Sequence, residues 1–395
     1  MSAPLNKLCE LIVDCPHSTA PDEGEGYPLI RTPNIGPGYL DLTDVHRVSK
    51  ETYDIRNARA VPQPMDLILA REAPAGNVGI IREGQWVCLG QRTVLIRPDQ
   101  NKVDPWFLNY YLNAPRQRHR LLSNANGATV SHVNMPIIRN LPIDLPCMKV
   151  QRRIASILMA YDNLIENNRR QIALLEEAAQ RLYKEWFVDL RFPGHQSIKV
   201  VNGLPIGWTK CELGAVVCQS GKAEKKSNRE NYSHYLPIDS IPSKSITCWD
   251  SDTIENASSS LVSFKRDDYV FGAMRPYFHK VIIAPYAGLT RTTCFVLNVA
   301  DSDYWAYAFA LLTFGDCVRY ATSISVGTTM PYVRWEDLRH MPIVVPNKEL
   351  AVAFKSHLTS IRMRVEALYM QIADAREARD RLLPKLMSGE IEVVE

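Results

Sequence analysis

No stretch of the sequence stays apolar for long: the longest clean run, Ala306 to Leu312, is too short to cross a bilayer. Met1 to Cys15 has neither the basic start nor the apolar core of a signal peptide, so a soluble, cytoplasmic protein is expected. The nine cysteines include no C-x-x-C pair, which argues against a zinc knuckle or a disulfide framework and for reduced, mostly buried thiols. Excess charge is lacking too. The 46 basic and 43 acidic side chains leave +3, too balanced to identify a nucleic-acid partner, so charge has to be read locally. Also absent are G-x-x-x-x-G-K-S/T, G-x-G-x-x-G, H-E-x-x-H and G-x-S-x-G. Asp22 and Asp99, each after a proline, are not followed by the acid-x-lysine of a metal-dependent nuclease, and Glu224 to Lys226 is too remote to supply it. No catalytic residue, metal site or resident cofactor is therefore expected on this chain. Its 395 residues, 46% hydrophobic and 23% charged, suit two or three globular domains.

What is present is a repeat with a period of about 200 residues. Gly127, Thr129, Val133, Arg139, Pro142, Ile143 and Pro146 match Gly327, Thr329, Val333, Arg339, Pro342, Ile343 and Pro346 without a gap. The register continues through Ser156, Leu158 and Glu166 against Ser356, Leu358 and Glu366, and through Gln171, Ile172, Glu177, Arg181 and Leu182 against Gln371, Ile372, Glu377, Arg381 and Leu382. Upstream, Asp66 to Arg71 resembles Asp268 to Ala273, and Gln91 to Thr93 resembles Thr290 to Thr292. Asp104 and Asp303 each read as the cap of an aromatic-rich helix closed by Arg120 or Arg319. The chain is a tandem duplication: a globular domain over 1–147, a long helix over 148–190, a linker and second domain over 191–346, and a second long helix and tail over 347–395.

The two helices carry matched seams. Ile154, Leu158, Tyr161, Ile165, Asn168, Ile172, Leu175, Ala179, Leu182 and Trp186 alternate at spacings of four and three. Phe354, Leu358, Ile361, Val365, Leu368, Ile372, Ala375, Leu382 and Leu386 repeat the pattern, with Arg379 in one slot. Heptads sustained this far predict a coiled coil rather than a helix lying on its own domain. Because each helix leaves its domain at the same point, an intramolecular pair runs antiparallel, with the domains at opposite ends. Asn168 is a candidate for fixing register. Arg169, Arg170, Glu176 and Glu177, with Arg362, Arg376 and Glu377, are candidates for outward docking faces.

Each domain reads as α+β with short strands. Those expected are Tyr27 to Arg31, Asp66 to Ala70, Gly79 to Arg82, Arg92 to Arg97 and Leu141 to Leu145, with counterparts from Tyr235, Tyr269, Val281, Thr293 and Met341. Residue types that contact phosphates and base edges gather in the loops. In the first domain they are Arg71, Asn77, Gln91, Arg92, Asn126, Thr129, Ser131 and His132. In the second they are Lys222, Lys225, Lys226, Arg229, Arg275, Tyr277, Lys280, Arg291, Thr328 and Thr329. The loop from Gly221 to Arg229, with four basic residues and one acid, is the strongest local signal. Arg116 to Arg120 is as basic but ends a helix, where cations complement the dipole.

The run from Gln151 to Leu158 (QRRIASIL), continuing through Tyr161 to Asn168 (YDNLIENN) and Arg181 to Phe187 (RLYKEWF), resembles the central helix of type I restriction-modification specificity subunits. Arg381 to Glu390 (RLLPKLMSGE) resembles the end of their second helix, and Leu204 to Trp208 (LPIGW) the opening of a second target-recognition domain. The resemblance covers essentially the whole chain, and its motifs are specific in the helices and weak in the recognition domains. Pro384, where the first helix has Lys184, is a departure read as interrupting the second helix. The resemblance implies an α+β duplication of two recognition domains and two antiparallel helices, a non-catalytic reader of bipartite double-stranded DNA. It implies two modification subunits carrying S-adenosylmethionine, and restriction subunits using ATP and Mg, as partners. A coiled-coil adaptor and a DNA-binding regulator without a methyltransferase partner remain as alternatives.

Overall fold

The computed structural model describes residues 2–43, 45–72, 74–123, 132–258 and 260–393. The chain forms two compact units, Met1–Ile165 with Asp374–Glu395, and Glu166–Ala373. In the first, the strands Cys9–Asp14, Thr93–Pro98, Leu67–Ala70 and Val78–Ile80 lie side by side in that order, all antiparallel. Successive side chains on a strand point to opposite faces, and here both faces are apolar. Leu67, Leu69, Val94 and Ile96 pack with Phe107, Leu108 and Tyr111 of the helix Pro105–Asn113. Ile68, Ala70 and Leu95 pack with Cys15, Ile30 and Ile35 on the other side. Asp104 caps that helix by accepting from the Phe107 amide at 2.9 Å.

The second unit repeats the plan. Val217–Gln219, Cys294–Val299, Tyr269–Gly272 and Val281–Ile283 take the same order. Tyr269, Phe271, Phe295 and Leu297 face one core, while Val270, Ile282 and Val296 face another. The long apolar run lies in the helix Trp305–Phe314, where every residue from Ala306 to Thr313 is buried. No helix among the described residues is long and apolar enough to cross a membrane. Cys15, Cys88, Cys248, Cys294 and Cys317 are buried, and burial pushes the Cys317 thiol up to about 12.

Several expected elements differ. Asp301, not Asp303, caps the second aromatic-rich segment, accepting from the Asp303 amide at 2.9 Å. Each helix expected to close at Arg120 or Arg319 is two helices. The first breaks at Ala114, held extended before Pro115, and the second at Gly315, also extended. Tyr235 to Asp239 is no strand: the Thr290 hydroxyl takes the Leu236 carbonyl at 2.7 Å, and Pro237 has no N–H to extend the ladder. The sequence reading had no counterpart for the sheet Lys222–Glu224, Leu261–Phe264 and Gly288–Arg291.

The long helices run Met148–Tyr183 and Lys348–Ser388. Within the second unit, Asn168 Nδ2 donates to Gln371 Oε1 at 3.1 Å and the Trp186 ring lies 5.8 Å from that of Phe354, so the two segments are antiparallel. Within the first unit, Arg379 Nη1 meets Asp162 Oδ1 at 2.6 Å, and Ile154 and Leu158 share a core with Leu382 and Leu386, again antiparallel. Ile154, Leu158, Ile165, Asn168, Ile172, Phe354, Leu358, Val365, Leu368 and Ile372 are buried; Tyr161, Leu175, Leu182, Ile361 and Leu382 are half-buried. Pro384 does not interrupt the second helix, which continues to Ser388. The first helix is the one that changes, widening at Lys184–Val188 so that the Asp189 amide reaches the Lys184 carbonyl at 2.8 Å.

In the second unit the helices pack on each other, as a coiled coil requires, and on their own domain as well. Glu176 is no outward residue: its Oε1 accepts from Ser245 Oγ at 2.6 Å and the Ile246 amide at 2.9 Å. Arg362 is buried too, bonded to Glu366 at 2.8 Å and paired with Asp267. The helix face wider than the seam thus seats against the globular domain of the same unit, where a charge needs partners.

Two consequences can be measured. Leu158 is fully buried, so Leu158→Ala should destabilise the protein by about 2–5 kcal/mol; an unchanged denaturation midpoint would contradict the packing. Burial raises the Glu176 carboxyl above its usual range, partly offset by its two hydrogen bonds. A raised folded-state pKa contributes stability below the unfolded value and loses it as pH rises through the folded value. Glu176→Gln keeps an acceptor oxygen and removes the titration. Between about pH 4 and 8, wild-type Tm should therefore fall relative to the variant, and parallel curves would refute this.

Candidate nucleic-acid interface

A sheet buried on both faces leaves polar side chains room where its strands end. In the first unit Ala70 pairs with Thr93, and beyond that pair the Arg71 amide still reaches the Arg92 carbonyl at 2.9 Å. Arg92 takes φ +65°, a conformation uncommon without glycine. The segment at Val133 docks on this end, its amide donating to the Arg71 carbonyl at 3.1 Å while Arg71 Nε donates back to the Val133 carbonyl at 2.9 Å.

Arg71 is the centre of a charge chain. Its Nη1 meets Asp14 at 2.6 Å and its Nη2 donates to His132 Nε2 at 2.7 Å. With Nε2 accepting, His132 Nδ1–H is left to donate to Glu72, whose other oxygen holds Arg92 Nε at 2.8 Å. Arg71 is 7% exposed and His132 is half-buried, so both hold the corner together. Gln91 is spent on the His17 carbonyl and the Thr19 hydroxyl, and Asn77 Nδ2 on the Ile35 carbonyl. Arg92, half exposed, presents the rest of its guanidinium to solvent. Asn126, Thr129 and Ser131 lie outside the described residues.

The second unit has the same corner with other side chains. Val333 donates to the Ala273 carbonyl at 3.0 Å, as Val133 does to Arg71, so an alanine stands where the first unit has its central arginine. The Ala273 amide takes the Thr293 carbonyl at 2.9 Å, and Gly272 pairs with Cys294 as Ala70 does with Thr93. Arg92 therefore corresponds to Thr293. The sequence match of Arg92 to Arg291 is two residues off, a slip that leaves the alternation of faces intact. Arg291 ends a separate strand, in one row with Leu261 and Glu224. That row brings the loop after Glu224 to the same sheet end as Arg291, about 10 Å away at two strand spacings.

Lys222, Lys225 and Lys226 are exposed there; Arg229 is half-buried and donates to the Glu255 carbonyl at 3.2 Å. Hydrogen bonds from Asn228 and Tyr232 hold the Glu224 carboxyl below its usual range, so the acid anchors its own loop. Arg275, at φ +50°, donates from Nη2 to the Thr329 carbonyl at 3.2 Å. Lys280 Nζ donates to the Ile238 carbonyl at 2.8 Å, while Tyr277, Thr328 and Thr329 are exposed. Arg275 Nε, Arg291 Nε and Thr293 Oγ1 are buried without a hydrogen-bond partner in the protein. Buried donors left without acceptors are costly, and their concentration at one corner suits an anionic, acceptor-rich ligand. The sequence reading missed Glu72, which links His132 to Arg92, and Phe278, next to Tyr277; only the aromatic pair was visible as a pattern. Among the described residues no group of three His, Cys, Asp or Glu is placed to hold a metal.

Residues 7–177 match the family model described as type I restriction modification DNA specificity domain. The type I restriction enzyme MjaVIII specificity subunit of Methanocaldococcus jannaschii is 27% identical over 94% of this chain and 88% of its own length. The MjaIX specificity subunit of the same organism is 26% identical over 83% of this chain and 78% of its own. A crystal structure of the type I restriction-modification system S subunit from M. genitalium shares the fold, with a TM-score of 0.59 and 14% identity over 98% of this chain and 95% of that one. With one corner built twice on a duplicated frame, the chain is similar to type I restriction-modification specificity subunits along nearly its whole length, and over residues 7–177 to their DNA specificity domain.

Proposed function

We infer that the chain is the DNA-recognition subunit of a type I restriction-modification complex, each unit reading one half of a bipartite site. The observation that carries this is the duplicated corner, with Arg92 exposed in one unit and the orphaned donors of Arg275, Arg291 and Thr293 in the other. Guanidinium groups at such positions suit guanine edges and phosphates. The adaptor and stand-alone regulator readings are not favoured, since the relatives are named as restriction-enzyme specificity subunits.

Within this reading the antiparallel helices set the gap between half-sites and dock two modification subunits, one per repeat. Those partners bring S-adenosylmethionine and methylate adenine; restriction subunits bring ATP and Mg. The chain itself carries no chemistry and fixes where the partners act. The helix faces available for docking are narrower than the sequence suggested, because Glu176 and Arg362 are committed internally, leaving exposed positions such as Arg169 and Arg170.

Two measurements test the reading. Purified together with a type I modification subunit from the same genome, the chain should support adenine methylation and form a complex whose mass contains two partner copies. Methyl transfer by the isolated chain, or saturation at one copy, would contradict it. In site-selection sequencing, Arg92→Ala should relax one half-site and Arg291→Ala the other, each by about 1–3 kcal/mol, roughly 5- to 150-fold. Equal loss at both halves from either change would reject the division of labour.

A further inference from the structure

The surroundings of Tyr277 point to a role for its ring. Tyr277 and Phe278 are 50% and 46% exposed, their ring centroids 4.8 Å apart and their planes tilted by 56°. They occupy the single turn Pro276–Phe278, flanked by two non-glycine residues in the left-handed region, Arg275 at φ +50° and His279 at φ +58°. Such conformations persist only where the surroundings impose them. Here the turn is tied on every side. The Arg275 amide donates to the Pro331 carbonyl at 2.7 Å, Ser243 Oγ to the Phe278 carbonyl at 2.7 Å, and the Lys244 amide to the His279 carbonyl at 2.9 Å; the His279 ring meets the Thr313 carbonyl. The adjoining loop, tied by Arg275 Nη2 to the Thr329 carbonyl, exposes Val326 and Met330. Folding gains nothing from a strained, braced turn that exposes two aromatic rings, and a clustered apolar exposure marks a contact surface.

Charge identifies the occupant. Arg275 Nη2 and Lys280 Nζ donate to backbone carbonyls, and neither they nor Lys244 meets a carboxylate among the described residues, so the apolar tip sits in a positive collar. In the major groove of DNA one base carries an apolar group, the 5-methyl of thymine, and it lies between two rows of phosphates. Rings tilted by 56° cannot both lie parallel to the base pairs, which favours packing on a methyl group over insertion into the stack. We propose that Tyr277 and Phe278 are specificity residues that read thymine through its methyl group while Lys244, Arg275 and Lys280 hold the flanking phosphates. This rests on the DNA-recognition reading above.

The test uses the chain assembled with its modification subunits and duplexes carrying its recognised site, each thymine replaced in turn by uracil, which pairs identically but lacks the methyl. At one or two positions Kd should rise about fourfold, the equivalent of roughly 0.8 kcal/mol for one buried carbon group. The double variant Tyr277→Ser/Phe278→Ser should bind thymine and uracil duplexes equally at those positions. If that variant does not fold, the two single variants should each reduce the discrimination. Uracil tolerated everywhere, a site without thymine, discrimination that survives in the variants, or variants that lose the modification subunit while still distinguishing uracil would overturn the proposal. A wild-type complex that binds its site no better than a scrambled duplex would instead overturn the DNA-recognition reading itself.

Discussion

The constraint behind the rest of the molecule is a four-stranded sheet covered on both faces. Every residue of Leu67–Ala70 and of Tyr269–Gly272 is buried, so neither sheet face can hold a ligand. Polar side chains reach solvent where paired strands run out, just past Ala70 and Thr93 in one unit and Gly272 and Cys294 in the other. The same place is where the segment at Val133 or Val333 docks through a single backbone hydrogen bond. A fixed frame with one open corner lets the corner's side chains change without touching the core, because the residues that pair the strands and those that face outward are different residues.

The two corners solve the same problem differently. In the first, acids neutralise the cations, Asp14 meeting Arg71 and Glu72 meeting Arg92, while His132 is hydrogen-bonded between Arg71 and Glu72 in the same chain of contacts. Such a corner is rigid before a ligand arrives, with little left to reorganise. In the second, an alanine stands in Arg71's place, and the cations lean on carbonyls instead of carboxylates. Its orphaned donors leave it less satisfied in isolation, and a ligand of phosphates and base acceptors would relieve that cost. The first corner thus relies on preorganisation and the second on charge that remains available.

Period explains what could be read from the sequence. The helical repeat survives because the seam from Ile154 to Leu182 is covered along its length, most of its positions being buried, which keeps the spacing of four and three visible. Strands gave existence but not register: Arg92 and Arg291 looked equivalent because a shift of two residues preserves the alternation of a strand. Caps failed where two acids compete, as Asp301 and Asp303 do before the helix at Trp305. At the site, residue type marked Arg71, Gln91 and His132 as polar groups in loops, but not whether they turn inward. Their commitment to Asp14, His17 and Glu72 depends on partners far away in sequence, which no local pattern encodes.

The helices show the same limit in a different form. A heptad predicts that a stripe will be buried, and it is silent about the residues flanking the stripe. Glu176 and Arg362 lie there, and their charge made them look outward-facing. Each instead meets a complementary group on the recognition domain of its own unit, Ser245 and the Ile246 amide for one and Asp267 for the other. A buried carboxyl that accepts two hydrogen bonds fixes orientation as well as distance, so these contacts set how the second domain sits on its own helix segments. In the proposed reading, where the helices act as a ruler, such seating matters: a ruler transmits spacing only if what it carries cannot rotate about it.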